Sequence, residues 1–263
     1  MAGLLVDDAY ITATSYDLPR GIDNMKLRQA FGEFVNHSNG MMFRTLFLFE
    51  PVSARWLQVL VRPGVKQIEW ANVVVADEAD LELRVSEYQC GRAIQPFKDG
   101  ELLTRVCIFE LDGHPRVLVW SLHHALTDHW VIDNYISDIE DIYACHPLPS
   151  RRPFKPMIKY LECLDRTAGV EFWRSHLRDA SPTPFLLGLP GSRRVIAERA
   201  VVRNVHVDHV SLTRRFGIMA STLVTVGWSI VLAVHSNCAD VVFGQVLSGR
   251  SAHNFCTSRC SGR

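Results

Sequence analysis

Leu27, Ala30, Phe31, Phe34 and Val35 fall at i, i+3, i+4, i+7 and i+8. That spacing predicts a helix over residues 23–36 with one face in the core, and Asp23 is placed to cap its start. Residues 44–50 and 55–61 are instead rich in Leu, Phe and Val, and Glu50-Pro51-Val52-Ser53 interrupts them, which predicts two strands paired as a hairpin. A second helix is expected over 77–91. Residues 102–110 and 116–122 then read as another strand pair around Leu111-Asp112-Gly113-His114-Pro115, whose Asp-Gly and Pro are turn chemistry.

Ile132, Tyr135, Ile136, Ile139, Ile142 and Tyr143 next mark an amphipathic helix of about four turns, with Asp133, Asp138, Glu140 and Asp141 expected toward water. Residues 146–156 hold four prolines and two arginines, which stops that helix and begins a surface connector. Short helices over 156–165 and 170–177 are expected beyond it, followed by a proline-rich loop over 179–194. A strand at 199–207, an apolar helix over 221–235 and a strand at 240–246 complete the ordered part. Residues 216–234 carry no charge, which is long enough to span a bilayer, but Ser221, Thr222, Thr225, Gly227 and Ser229 dilute the run and predict a buried core helix instead.

Composition narrows the function classes. The chain has 263 residues, 48% apolar and 21% charged, so it can bury a substantial core and lacks the signature of disorder. Lys and Arg number 28 against 28 Asp and Glu, with no long basic stretch, which argues against a nucleic-acid partner. The seven cysteines are odd in number and widely spread, and residues 1–20 show neither a secretory nor a transit signal. The expectation is a reducing, cytoplasmic setting without a membrane anchor.

One constellation rises above this background. In Ser121-Leu122-His123-His124-Ala125-Leu126-Thr127-Asp128-His129-Trp130, adjacent histidines end a strand and an aspartate follows four residues after the second. An imidazole there can accept a proton from an amine or hydroxyl and return it to a leaving group. Strand alternation sends the two rings in opposite directions, so only one can face a shared cleft and the other is structural. A metal set of His124, Asp128 and His129 lacks a fourth ligand at a familiar spacing, and His253, Cys256 and Cys260 lack a partner pair, so no metal is expected.

HHALTDHW resembles the HHxxxDG signature of the condensation domains of nonribosomal peptide synthetases. Gly3-Leu4-Leu5 resembles the tail of that family's first motif, and His37 to Thr45 (HSNGMMFRT) a degenerate form of the second, usually RHxxLRT. Phe172-Trp173 with Leu177 is similar to the inter-lobe helix. Asp240-Val241-Val242-Phe243-Gly244 with Ser248-Gly249-Arg250 resembles the DVxFGxxxSGR element of the second lobe.

The resemblance implies an α/β, chloramphenicol acetyltransferase-like two-lobe sandwich. The first lobe is expected near-complete over 1–150, followed by a connector over 151–197, a partial second lobe over 198–250 and an unstructured tail over 251–263. It also implies that His124 sits beside the acyl thioester and the nucleophile, while His123 and Asp128 hold the loop, Asp128 through an ion pair with an unidentified arginine. No cofactor is bound directly. The acyl group arrives as a phosphopantetheine thioester on a carrier protein or larger synthetase, and the acceptor is a small-molecule amine or hydroxyl.

The chain departs from the pattern in three places. His129 stands where the family has glycine, which predicts a narrowed or distorted site, because glycine there permits a positive φ. Only Arg44 and Thr45 keep their places in the second motif. The family domain is considerably longer, so the chain reads as truncated. Two other readings follow: an inactive module that docks carrier proteins, and a free-standing CoA-dependent acyltransferase, whose HxxxD signature His124 and Asp128 also meet.

Overall fold

The computed structural model describes residues 10–151, 155–181, 183 and 201–246. The chain divides into two units, Met1–Phe154 and Lys155–Arg263. In the first unit β1 (Ile11–Asp17) precedes α1 (Asn24–Asn36) and the hairpin β2 (Thr45–Glu50) and β3 (Arg55–Leu60). Strand β4 (Glu69–Val75), α2 (Glu78–Cys90), β5 (Thr104–Leu111), β6 (His114–His123) and α3 (His129–Tyr143) follow. The second unit contains α4 (Lys155–Glu162), α5 (Arg166–His176), α6 (His209–Phe216) and α7 (Ala220–Ser236) among its described residues.

The four-stranded sheet runs in the order β1-β6-β5-β4. Its centre is the β5–β6 hairpin, closed by Asp112 and Gly113 at φ 54° and 75° between the paired Leu111 and His114. Two successive left-handed residues make the turn whose twist matches the strands, and Asp-Gly is the sequence that tolerates it. Alternation along the hairpin then builds two cores. Leu118, Trp120 and Leu122, with Val106 and Ile108, face Leu27, Phe31 and Phe34 of α1 and Tyr135 and Ile139 of α3. Val117 and Val119, with Cys107, Phe109 and Leu111, face Leu81 of α2. The first unit is therefore a sheet with α1 and α3 on one face and α2 on the other.

The caps follow the local sequence. Asp23 accepts from the Lys26 amide at 3.1 Å and Asp77 from the Asp80 amide at 2.8 Å. Gly40 lies against the end of α1, where a Cβ would stand 2.1 Å from the Phe34 carbonyl oxygen, so no other residue fits that backbone. Arg44, buried with the end of that turn, donates Nε to the Val35 carbonyl at 3.0 Å and a terminal nitrogen to the Val61 carbonyl at 2.9 Å. It satisfies an orphan carbonyl at the end of α1 and ties that helix to the hairpin.

Several elements differ from the sequence pattern. β1 and β4 are strands that the spacing left unassigned: β1 is antiparallel to β6, and β4 parallel to β5 across α2. In the second unit α6 was likewise unassigned, and residues 201–207 and 240–246 form no ladder, because a strand needs a pairing partner and none lies among the described residues. Helix α7 forms where the apolar run stands, but Leu232 is its buried residue, while Val224 and Val234 are 71% and 73% exposed. The described residues supply no second layer against it, so it is not a buried core helix in this structure. No single helix among the described residues is long and apolar enough to cross a membrane, and α6 and α7, which qualify only as a pair, meet at 96°.

Burial raises the Cys107 thiol to about 11, whereas Cys90, Cys145, Cys163 and Cys238 are exposed. Only the thiolate alkylates readily. Iodoacetamide at pH 8 followed by peptide mass spectrometry should therefore modify those four in the folded protein and reach Cys107 only after unfolding.

Candidate active site

The site begins where β6 ends. The His123 amide donates to the Leu103 carbonyl at 3.0 Å, the last backbone bond on the β5 side, and the His124 amide donates to the Tyr10 carbonyl at 2.7 Å, so the chain is held on both sides as it leaves the sheet. It then turns sharply. The Leu126 amide returns to the His123 carbonyl at 2.9 Å, and the Ala125 amide donates to Nδ1 of the His123 ring at 3.0 Å. Leu126 plugs the core at 4% exposure, and its carbonyl accepts the Tyr135 hydroxyl from α3 at 3.3 Å.

These bonds give the two histidines different surroundings. His123 is 3% exposed and its ring lies among Tyr10, Phe47 and Phe97, at centroid distances of 6.4, 6.0 and 6.4 Å. Its Nδ1 is occupied by the backbone of the turn, a bond that requires that nitrogen to be unprotonated. His124 is exposed. Of the adjacent pair, it is the one open to solvent.

Asp128 has extended backbone, and its Oδ1 accepts the Val131 amide at 3.0 Å, which makes it the cap of α3. The motif aspartate therefore starts the helix that carries Tyr135 back to the turn. His129 and Trp130 are the first two residues of α3. His129 consequently has right-handed helical backbone, which any residue adopts, and the left-handed strain expected from replacing a glycine does not arise.

Among the described residues, an arginine–aspartate pair near this turn joins two residues outside the motif, Arg151 and Asp138. Asp138 was expected toward water but has 0% exposure. Arg151, from the connector, donates Nε to its Oδ2 at 2.9 Å and a terminal nitrogen to its Oδ1 at 2.6 Å, and also reaches Asn134 Oδ1 at 2.8 Å. Asn39, from the degenerate second motif, donates to Asp138 Oδ2 at 3.0 Å and to the Pro149 carbonyl at 3.1 Å. The hydrogen bonds to Asp138, with its charge, raise the Arg151 guanidinium above its ordinary value. Helical periodicity placed Asp138 on the polar side because an acidic residue ordinarily faces solvent; the signal that it is buried lies in Asn39 and Arg151, far away in sequence.

Across the sheet, Arg105 is 1% exposed, stacks over Phe97 with its guanidinium carbon 3.9 Å from the ring centroid, and donates to the Gln95 carbonyl at 2.6 Å. Burial lowers its guanidinium below the ordinary value, against the opposing pull of Glu69 and Glu101. Arg105 thus holds Phe97, one wall of the His123 pocket. Asp240 and Gly244 are exposed in the second unit, where Thr183 Oγ1 accepts the Val242 amide at 2.8 Å. Ser248, Arg250 and Gly3-Leu4-Leu5 lie outside the described residues, as do His253, Cys256 and Cys260. Among the described residues no group of three His, Cys, Asp or Glu side chains could hold a metal ion.

A four-stranded mixed sheet covered by helices on both faces makes the first unit a member of the α/β class. The chain's family is equally well marked: a model of the condensation domain matches residues 6–262, and the chain belongs to that family. It is 28% identical over 249 residues to the nonribosomal peptide synthetase apmB of Penicillium brevicompactum, covering 94% of this chain and 10% of that protein. To the AM-toxin synthetase AMT1 of Alternaria alternata it is 30% identical over 250 residues, covering 93% and 5%. The solved condensation domain of the monacolin K polyketide synthase MokA shares the fold with a TM-score of 0.63 at 15% identity, covering 88% of this chain and 55% of that one. The chain thus spans about half of that solved domain and a small part of the synthetases.

The two rings should respond differently to truncation. His123→Ala empties a buried pocket lined by Tyr10, Phe47 and Phe97 and removes the acceptor of the Ala125 amide, and should lower stability by about 1 to 3 kcal/mol. His124→Ala removes an exposed ring and should change it by less than about 0.5 kcal/mol. Thermal and urea melts of the two variants beside wild type measure both.

Proposed function

We propose that the protein catalyses condensation-type acyl transfer, forming an amide or ester between a carrier-bound acyl thioester and an amine or hydroxyl acceptor in secondary-metabolite biosynthesis. The observation that carries this reading is the division of labour at the end of β6: His123 is locked in an aromatic pocket while the adjacent His124 is exposed on a turn held by backbone bonds. A chemically useful imidazole needs both features, a fixed backbone and a free ring.

In the proposed reaction the acceptor nitrogen or oxygen attacks the thioester carbonyl and His124 takes the proton it loses. The tetrahedral intermediate collapses with cleavage of the carbon–sulfur bond. The proton held by His124 passes to the departing phosphopantetheine sulfur, leaving an amide or ester and a free thiol. His123 and Asp128 take no proton in this scheme. The first holds the turn from inside, and the second fixes the start of α3 so that the turn has one conformation. The thioester is substrate, presented by a carrier protein, and its phosphopantetheine arm is not a resident cofactor of this chain. Asp240, Gly244, Ser248 and Arg250 belong to the second-lobe motif, and we assign them to the second unit's part in carrier or acceptor binding.

The test is an amide- or ester-forming assay with an aminoacyl-loaded carrier protein. His124→Ala should reduce turnover by about 10² to 10⁴, the ordinary contribution of general acid–base catalysis. Equal turnover in wild type and His124→Ala would overturn the assignment. Carrier binding without turnover in either would favour the docking-module reading.

A further inference from the structure

We infer that Arg151 and Asp138 form a latch that positions the histidine turn from the connector between the two units. The inference rests on the proposed role of His124 and names positioning residues for it that lie outside the motif.

Asp138 is fully buried, and a buried carboxylate is tolerated only when its oxygens are satisfied and its charge is paired. Both conditions are met from other segments of the chain. Arg151 grips both oxygens in a fork. Asn39 supplies a further donor at 3.0 Å and simultaneously holds the Pro149 carbonyl, two residues before the arginine. Arg151 lies three residues before the boundary of the first unit at Phe154. The connector is therefore fastened to α3 immediately before it leaves the unit.

The fastening point is mechanically continuous with the turn. Arg151 also holds Asn134 through its side chain at 2.8 Å and its carbonyl at 3.3 Å. The next residue, Tyr135, sends its hydroxyl to the Leu126 carbonyl inside the turn. Its ring lies 4.9 Å from Phe43 and 5.5 Å from Phe34, so it cannot slide along the helix without disturbing the core. Helix α3 joins the two ends rigidly, with Asp128 capping one turn and Asp138 anchoring another ten residues on. The route is Arg151 to Asp138 and Asn134, then Tyr135, then Leu126 and the amides that hold His123 and set the direction of His124.

Such a latch has a different signature from a local brace. A brace would protect the connector and the middle of α3 and leave the turn indifferent. The latch requires the turn to loosen when the connector is released.

Hydrogen–deuterium exchange on the full chain separates the two. Asp138→Asn, which removes the charge and keeps the shape, should raise exchange at the Ala125 and Leu126 amides by roughly tenfold or more, along with the 134–151 segment. The β4–β5 amides should stay unchanged as an internal control. Arg151→Lys keeps the charge but loses the fork, should give a smaller rise at the same amides, and serves as the readout if Asp138→Asn does not fold. Loosening of 134–151 with unaltered protection at Ala125 and Leu126 would overturn the proposal, as would no change anywhere. In the acyl-transfer assay both variants should lower kcat with KM nearly unchanged, and a change in KM alone with kcat intact would also overturn it. Absence of turnover in wild type would count against the proposed function, while the exchange result would still decide the latch.

Discussion

The register of the β5–β6 hairpin is the constraint on which the rest of the first unit depends. Asp112 and Gly113 close it with a two-residue turn, and that closure fixes which side chains of β6 face α1 and α3 and which face α2. Ten residues later the same alternation decides the fate of the histidines. Ser121 and His123 share a face and are both buried, and the strand ends before His124. A slip of one residue would exchange the two faces along the whole strand, moving Trp120 out of the aromatic core and His123 out of its pocket.

The aromatic core makes that register costly to change. Trp120 donates its indole N–H to Thr104 Oγ1 at 2.9 Å, and its ring is within 5.6 Å of both Phe31 and Phe43. Phe43 and Phe34 in turn meet Tyr135 of α3. One contiguous cluster thereby connects the central strand, the first helix, the loop of the degenerate second motif and the helix that follows the histidine turn. Arg44 and Gly40 fit the same picture: both serve the end of α1, one by binding its carbonyl and the other by leaving room for it. What remains of the second motif is a packing device in this chain.

Much of this was legible in the sequence because its cause is local. The cap of α1 at Asp23, the Asp-Gly turn, the amphipathic α3 and its end before residue 146 each follow from neighbours within a few positions. That the two rings diverge followed from strand period, and the choice of His124 as the one at the site came with the family resemblance. The strands β1 and β4 were missed because Ile11–Asp17 is mostly Thr, Ser and Ala, and because a parallel partner for β5 must be found across a whole helix. The burial of Asp138 was missed for a related reason: the residues that satisfy its oxygens, Asn39 and the charge-pairing Arg151, sit 99 and 13 positions away. Helix α7 was found and its burial misjudged, because apolar composition predicts that a helix will be covered without identifying the layer that covers it.

The central claim is that adjacent imidazoles are sorted by the end of a strand, one sequestered and one presented. Acylation of the folded protein with limiting diethyl pyrocarbonate, read residue by residue by tandem mass spectrometry, tests it directly. The account predicts that His124 is modified many-fold faster than His123, and that the difference disappears in denaturant. Modification of His123 at the same rate as His124, or faster, in the folded protein would contradict it.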